Sequence, residues 1–243
     1  MGIFDDVNIF GSSSEIPPAL DRADIPDVIH LELRDDMQGF EGQEVAVFGS
    51  PIETGENLDY EQGDNPFEAA GNCNLVSTSN FLNLCGIDEA NETMITGYAI
   101  ANGECAYSEY LPPEARGGSN TENMQNILGE FGIDTEVVRP YERGGDIESI
   151  AAKIEEGYVG AMGVNAGYLW DSPENIGDGT VNHEVTITGT VRDTQTGELL
   201  ALTVCDSGTG ESCHVVSIEQ LEDCYLNVSG ADVVFSTEPI RAI

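Results

Sequence analysis

One change of rhythm constrains this chain more than any other feature. Between Asn65 and Gly157 the apolar residues recur at helical spacing, and from Tyr158 onward they alternate in the manner of strands. Asn72-Cys73 opens the run Leu75, Val76, Phe81, Leu82 and Leu84, which closes at Cys85-Gly86. That spacing predicts an amphipathic helix with Gly86 just past its end. A second short helix is expected from about Asp88, with Ala90, Met94 and Ile95 facing inward. Ser119-Asn120-Thr121-Glu122 reads as a capping box that introduces Met124, Ile127, Leu128 and Phe131, and Gly132 stops that helix. Gly144-Gly145-Asp146 leads into a further amphipathic helix carrying Ile147, Ile150, Ala151 and Ile154, which ends at Gly157.

Beyond that point residues 158–164 form a strand candidate, and the β-branched run Val185-Thr186-Ile187-Thr188 is the clearest strand in the chain. A turn at 193–197 and a return strand at 199–204 complete a hairpin. Residues 215–218 and 233–236 add further strands, with a short helix at 218–224 between them. Helices followed by an antiparallel sheet predict an α+β fold.

Residues 1–60 read as an acidic N-terminal arm or extension, and residues 61–243 as the main domain. Pro17-Pro18, Pro26, Gly49-Ser50-Pro51 and Gly55 punctuate the arm. Its strand-like runs at 28–33 and 44–48 suit either edge strands or an arm laid over the main domain. A chain of 243 residues is long enough to bury a core without covalent staples.

The charge balance narrows the partners. There are 45 acids against 8 bases, a formal net charge of −37, and Lys153 is the sole lysine. Such a field repels nucleic acid and anionic lipid and attracts cationic peptides or basic proteins. Its plainest role is solubility, including hydration at high salt. No stretch approaches the ~20 apolar residues of a membrane span. The N-terminus lacks the basic and apolar regions of a secretory signal, so the expected location is the cytoplasm, or outside the cell by a signal-less route.

Cysteines stand at positions 73, 85, 105, 205, 213 and 224, and none forms a C-x-x-C pair. Zinc and thioredoxin-like chemistry are therefore unsupported, and no metal or cofactor is expected. A bridge among Cys205, Cys213 and Cys224 stays open. Cys73 stands at a predicted helix start, where the helix dipole and free N–H groups favour a thiolate and can hold an oxyanion. Position alone would fit a buried structural cysteine better. If Cys73 needs a base, it comes from His30, His183 or His214, the only histidines. His183 heads the strongest strand, His30 lies in the irregular lead, and His214, expected in a loop after Cys213, is the fallback. Asp206 ends the return strand of the His183 hairpin and could orient the ring, although an aspartate before Ser-Gly is commonly a turn residue.

Cysteine at a helix start, histidine on a strand and aspartate at the end of the next strand is an order that resembles papain-like cysteine peptidases. The segments that carry the likeness are Gly-Asn-Cys73-Asn-Leu-Val-Ser, Asn-His183-Glu-Val-Thr-Ile-Thr-Gly and Val-Cys-Asp206-Ser-Gly. They are most similar to the bacteriocin-processing peptidase domains and to papain-like effector or toxin domains of bacterial secretion systems. The resemblance covers roughly residues 60–240. It implies a nucleophile helix packed on an antiparallel sheet, a Cys73–His183–Asp206 triad and a glutamine upstream of the cysteine that donates to the oxyanion. Gln62 is the only glutamine close upstream, with Asn65 and Asn72 as alternative donors.

The function implied is that of a thiol hydrolase, first a peptidase working through a thioester on a peptide or protein substrate that is basic. The same site suits a glutamine deamidase or an acyltransferase of the effector type. A third reading is an acidic binding module that has lost activity. An immunity or carrier protein is the partner that a toxin-like arm would imply.

Overall fold

The structure, a computed structural model, describes residues 31–240. His30 and the start of the strand expected at 28–33 lie outside the described residues. The described residues form a mixed α+β fold around one eight-stranded antiparallel sheet. Strands β1 (Leu31–Arg34) and β2 (Val45–Phe48) lead into α1 (Pro51–Glu56), α2 (Cys73–Leu84), α3 (Glu92–Asn102) and α4 (Thr121–Glu130). Then come β3 (Thr135–Val138), α5 (Ile147–Glu155), β4 (Gly160–Val164), α6 (Ala166–Leu169), β5 (His183–Asp193), β6 (Leu199–Asp206), β7 (Glu211–Ser217), α7 (Ile218–Leu221) and β8 (Val233–Ser236).

Strand β5 is the hub. Along one edge its first half pairs with β4, from Val164 opposite His183, and its second half pairs with β2, from Phe48 opposite Thr190. Along the other edge it pairs with β6, which pairs in turn with β7. The arm thus adds two strands to the main sheet, β2 against β5 and β1 outermost.

Alternation along the strands divides the core. Ala161 and Val234 pack with Leu75, Phe81, Leu82, Ile95, Met124 and Ile127 from α2, α3 and α4. Met162, Val164, Val233 and Phe235 pack instead with Ile150, Ile154, Val185, Ile187 and Leu221. A small third cluster joins Val45 and Val47 of β2 to Val191 and Ala201. Each fully buried Leu, Ile or Phe of these layers contributes about 1.5–3 kcal/mol of apolar burial.

Three local expectations change. Helix α2 is not amphipathic, because every residue from Asn74 to Leu82 is buried. Its polar side chains are matched inside: Thr78 donates to the Asn74 carbonyl at 2.7 Å, Ser77 to the Glu184 carbonyl at 3.1 Å, and Asn80 to the Asp59 carbonyl at 2.8 Å. A helix covered on all sides needs internal acceptors for such groups. Helix α3 starts at Glu92 rather than near Asp88, because Asn91 caps it by accepting from the Met94 amide at 3.0 Å. The box on α4 runs between Asn120 and Asn123, not from Ser119 to Glu122. Ser119 is used elsewhere, donating to Asn74 Oδ1 at 2.9 Å. All six cysteines lie among the described residues and none is in a disulfide.

Candidate active site

The loop before α2 is built so that Cys73 emerges at a defined place. Gly71 accepts no side chain, since a Cβ there would stand 2.3 Å from the Glu114 carbonyl oxygen. Its amide donates to the Arg116 carbonyl at 3.0 Å, and the Ala70 amide donates to that of Pro113 at 2.9 Å. Behind the loop sits the buried carboxylate of Glu92. Its Oε1 accepts from the Gly63 amide at 2.6 Å, Asn65 Nδ2 at 2.9 Å and Asn72 Nδ2 at 2.7 Å. Three donors on one carboxylate oxygen tie residues 63–72 to α3. Asn72 is the residue before α2, yet its side chain does not cap the helix, because its amide is turned to Glu92 and Thr96. The first turn of α2 therefore carries no side-chain cap.

Cys73, the first residue of α2, is half-buried. Burial pushes its thiol up. The hydrogen bond and charge of His183, with backbone hydrogen bonds from Glu184 and Asn74, outweigh this and hold it below the ordinary cysteine value. The other shifted thiols go the opposite way, with burial as the first cause: Cys105 and Cys213 are pushed up to about 11, Cys205 and Cys224 to about 12.

His183 is buried at the first position of β5, and its Nε2 lies 2.7 Å from Asp206 Oδ1. With Nε2 on the carboxylate, Nδ1 is the ring nitrogen left for the Cys73 thiol, which acts on the ring. Burial lowers the imidazole, but Asp206 and the Cys73 sulfur overcome it and push the ring up to about 10. A thiol shifted down and an imidazole shifted up each favour the charged form of its group, and each does so through the other.

Asp206 is completely buried at the end of β6. Burial alone would raise it. Hydrogen bonds from His183 and Trp170, the His183 charge and the nearby His214 imidazole instead hold it far below the usual carboxylate range. The Gly208 amide also donates to Oδ1 at 2.9 Å. Gly208 is a further point of close approach, since a Cβ there would lie 2.5 Å from the Trp170 ring and 3.0 Å from His183 Cε1.

Gln62 lies between the nucleophile loop and the carboxylate loop. Its Nε2 donates to the Ala70 carbonyl at 2.8 Å, its Oε1 accepts from Ser207 Oγ at 3.2 Å, and its amide donates to the Ser207 carbonyl at 3.0 Å. Of its sequence alternatives, Asn65 and Asn72 turn their amide nitrogens to Glu92. A groove of about 330 Å³ has Asp59, Glu61, Asp64 and Glu92 in its lining.

Sequence reasoning missed two residues, Trp170 and Glu184, and misplaced a third, His214. Trp170 donates its Nε1–H to Asp206 Oδ2 at 2.7 Å and meets the His183 ring edge-on, with centroids 5.1 Å apart. It is held there by α6, whose cap Asn165 accepts from the Gly167 and Tyr168 amides and donates to the Thr180 carbonyl at 2.6 Å. Its being the sole tryptophan was the one available signal. Glu184, next to His183, is buried with Oε1 unpartnered, and its Oε2 accepts from Asn74 Nδ2 at 3.4 Å. Burial, then the charges of Asp232 and Cys73, push its carboxyl well above the ordinary range. His214, expected in a loop, stands in β7, where pairing with β6 turns it toward Asp206.

The fold and the geometry together define an α+β protein in which a buried imidazole is hydrogen-bonded to a buried carboxylate and lies close to a thiol at a helix start. No protein-family model matches the chain, and no curated protein matches it. No helix among the described residues is long and apolar enough to cross a membrane.

Proposed function

We propose that this chain is a papain-like cysteine hydrolase and acts as a peptidase. The observation that carries the reading is the imidazole of His183, hydrogen-bonded to the fully buried carboxylate of Asp206 and close enough to the half-buried Cys73 thiol for each to shift the other. Three side chains so far apart in sequence have no structural need to meet in this way, whereas nucleophilic catalysis requires it.

In the resting site the proton of Cys73 sits on His183. The thiolate attacks a substrate carbonyl, and the tetrahedral oxyanion is held by N–H groups at the uncapped start of α2. The Nε2 amide of Gln62 is the side-chain candidate for a second donor. The His183 imidazolium then protonates the leaving amine, and water attacks the thioester with His183 as base. Asp206 keeps the ring oriented and favours its charged form throughout. Glu92 and Gly71 hold the loop that delivers the sulfur.

The acidic surface favours a basic peptide as substrate. The same thioester would serve glutamine deamidation or acyl transfer. An inactive binding module has no use for a depressed thiol, and that reading is the weaker one. The test is incubation of the purified protein with a mixture of basic and acidic peptides, read by mass spectrometry. New termini mark a peptidase, and a mass gain of about one unit at glutamine marks a deamidase. Either product should vanish in Cys73→Ala. Unchanged turnover by Cys73→Ala would remove the proposal.

A further inference from the structure

We propose that His214 is a positioning residue for this site: a second imidazole that shares the Asp206 carboxylate with His183 and links it to Glu211 at the surface. The proposal rests on the hydrolase reading above and adds a means of tuning it.

The β6–β7 ladder slips beside the site. Val204 faces His214, but the next aligned pair is Asp206 with Glu211, so β7 holds an extra residue there. Such a bulge re-aims side chains at a sheet end. Here it sets two carboxylates opposite each other, an arrangement that like-charge repulsion disfavours. The imidazole of His214 fills the gap. Its Nδ1 stands 3.7 Å from Asp206 Oδ2 and 3.5 Å from Glu211 Oε2, and it is buried without a hydrogen-bond partner. Asp206 Oδ1 is occupied by His183 and Gly208, and Oδ2 by Trp170, which leaves acceptor capacity at Oδ2 on the His214 side.

A small rotation of the ring would close either contact. When His214 donates to Asp206 it draws negative charge away from His183, which makes the imidazolium a stronger acid for the leaving amine. When it donates to Glu211, Asp206 acts on His183 alone. The charged groups set against His214 are Asp206 from β6 and Glu211 from its own strand, with His183 on the far side of Asp206.

With only three histidines in the chain, ring resonances followed by NMR against pH test this directly. In His214→Leu the His183 titration should move to higher pH by about half a unit or more, with kcat reduced and KM unchanged. In Glu211→Gln, where His214 has only Asp206 to serve, it should move to lower pH. Opposite shifts cannot arise from a packing defect. Glu211 is half exposed, so the second variant keeps the test intact if His214→Leu does not fold. A His183 titration unmoved by Glu211→Gln would overturn the proposal. A His183 titration unmoved by Cys73→Ala would instead overturn the hydrolase reading on which it stands.

Discussion

Asp206 meets the His183 imidazole at Nε2, 2.7 Å away, and thereby leaves Nδ1 as the nitrogen that can serve Cys73. The carboxylate does this while fully buried, with Trp170 and the Gly208 amide as its other donors. Removing it strands an imidazole N–H and an indole N–H together. Asp206→Ala should therefore lower kcat by ~10²-fold or more. Asp206→Asn keeps an acceptor but loses the charge, and should fall between it and the wild type. Steady-state kinetics of the three proteins check the order; equal rates would mean that the carboxylate does not orient the ring.

The opposed shifts of His183 and Asp206 set a pH window. His183 is raised to about 10, so its contribution to stability is complete below about pH 6.5 and is lost as pH rises from there through about 10. Asp206 is depressed, so its contribution is present above about pH 4 and is lost as pH falls further. Within the window Cys73 should react with iodoacetamide at about pH 6, where an ordinary thiol is almost fully protonated. Cys105, Cys205, Cys213 and Cys224 should stay unlabelled, since burial raises each of them. Peptide mapping after brief alkylation reads the result, and equal labelling of these five cysteines would contradict it.

At Gly208 the Trp170 and His183 rings both crowd the backbone. Gly208→Ala must displace one of them, because both rings are held by Asp206. The expected outcome is a folded protein with kcat reduced by about tenfold or more and a changed tryptophan emission. Wild-type emission together with wild-type kinetics would show that the rings move aside without consequence.

Glu184 carries a raised carboxyl with an unpartnered oxygen. The folded state holds this proton to higher pH than the unfolded chain, so the group erodes stability as pH climbs above about 4.3. Glu184→Gln removes the titration. Its melting temperature should depend less on pH between about 5 and 8 than that of the wild type. Parallel curves for the two proteins would refute the assignment.

Four of the bases among the described residues, Arg34, Arg116, Lys153 and Arg192, are already paired with neighbouring carboxylates. The acidic excess of the chain is therefore left to repel itself. Added salt should raise the melting temperature until the Debye length approaches ~3 Å near 1 M. Thermal melts across a sodium chloride series check this, and a melting temperature that falls with salt would show that ion pairing outweighs repulsion.

Much of the local architecture was legible from residue order. The start of α5 follows from Asp146, which accepts from the Ser149 amide, and the β5–β6 hairpin follows from β-branched alternation around the 193–197 turn. Helix α2 was located correctly but its character was not, since Ser77, Thr78, Ser79 and Asn80 look like a solvent face until Glu184, Asn74, Val76 and Asp59 are seen to accept from them. The start of α3 was misplaced because Asn91 competes for the cap, a local choice that apolar spacing does not register.

By itself, the order of residues determined the α+β class, the placement of Cys73 at a helix start, and the succession of a histidine strand and an aspartate strand. Those features depend on contacts within a few residues, which periodicity and capping encode. Only the tertiary structure decided that Trp170 closes over Asp206, that Glu184 lies buried against Asn74, and that a slipped ladder turns His214 toward the same carboxylate. Those meetings join residues 8 to 110 apart in the chain. They depend on strand register and on the close approaches permitted by Gly71 and Gly208, quantities that no local pattern carries.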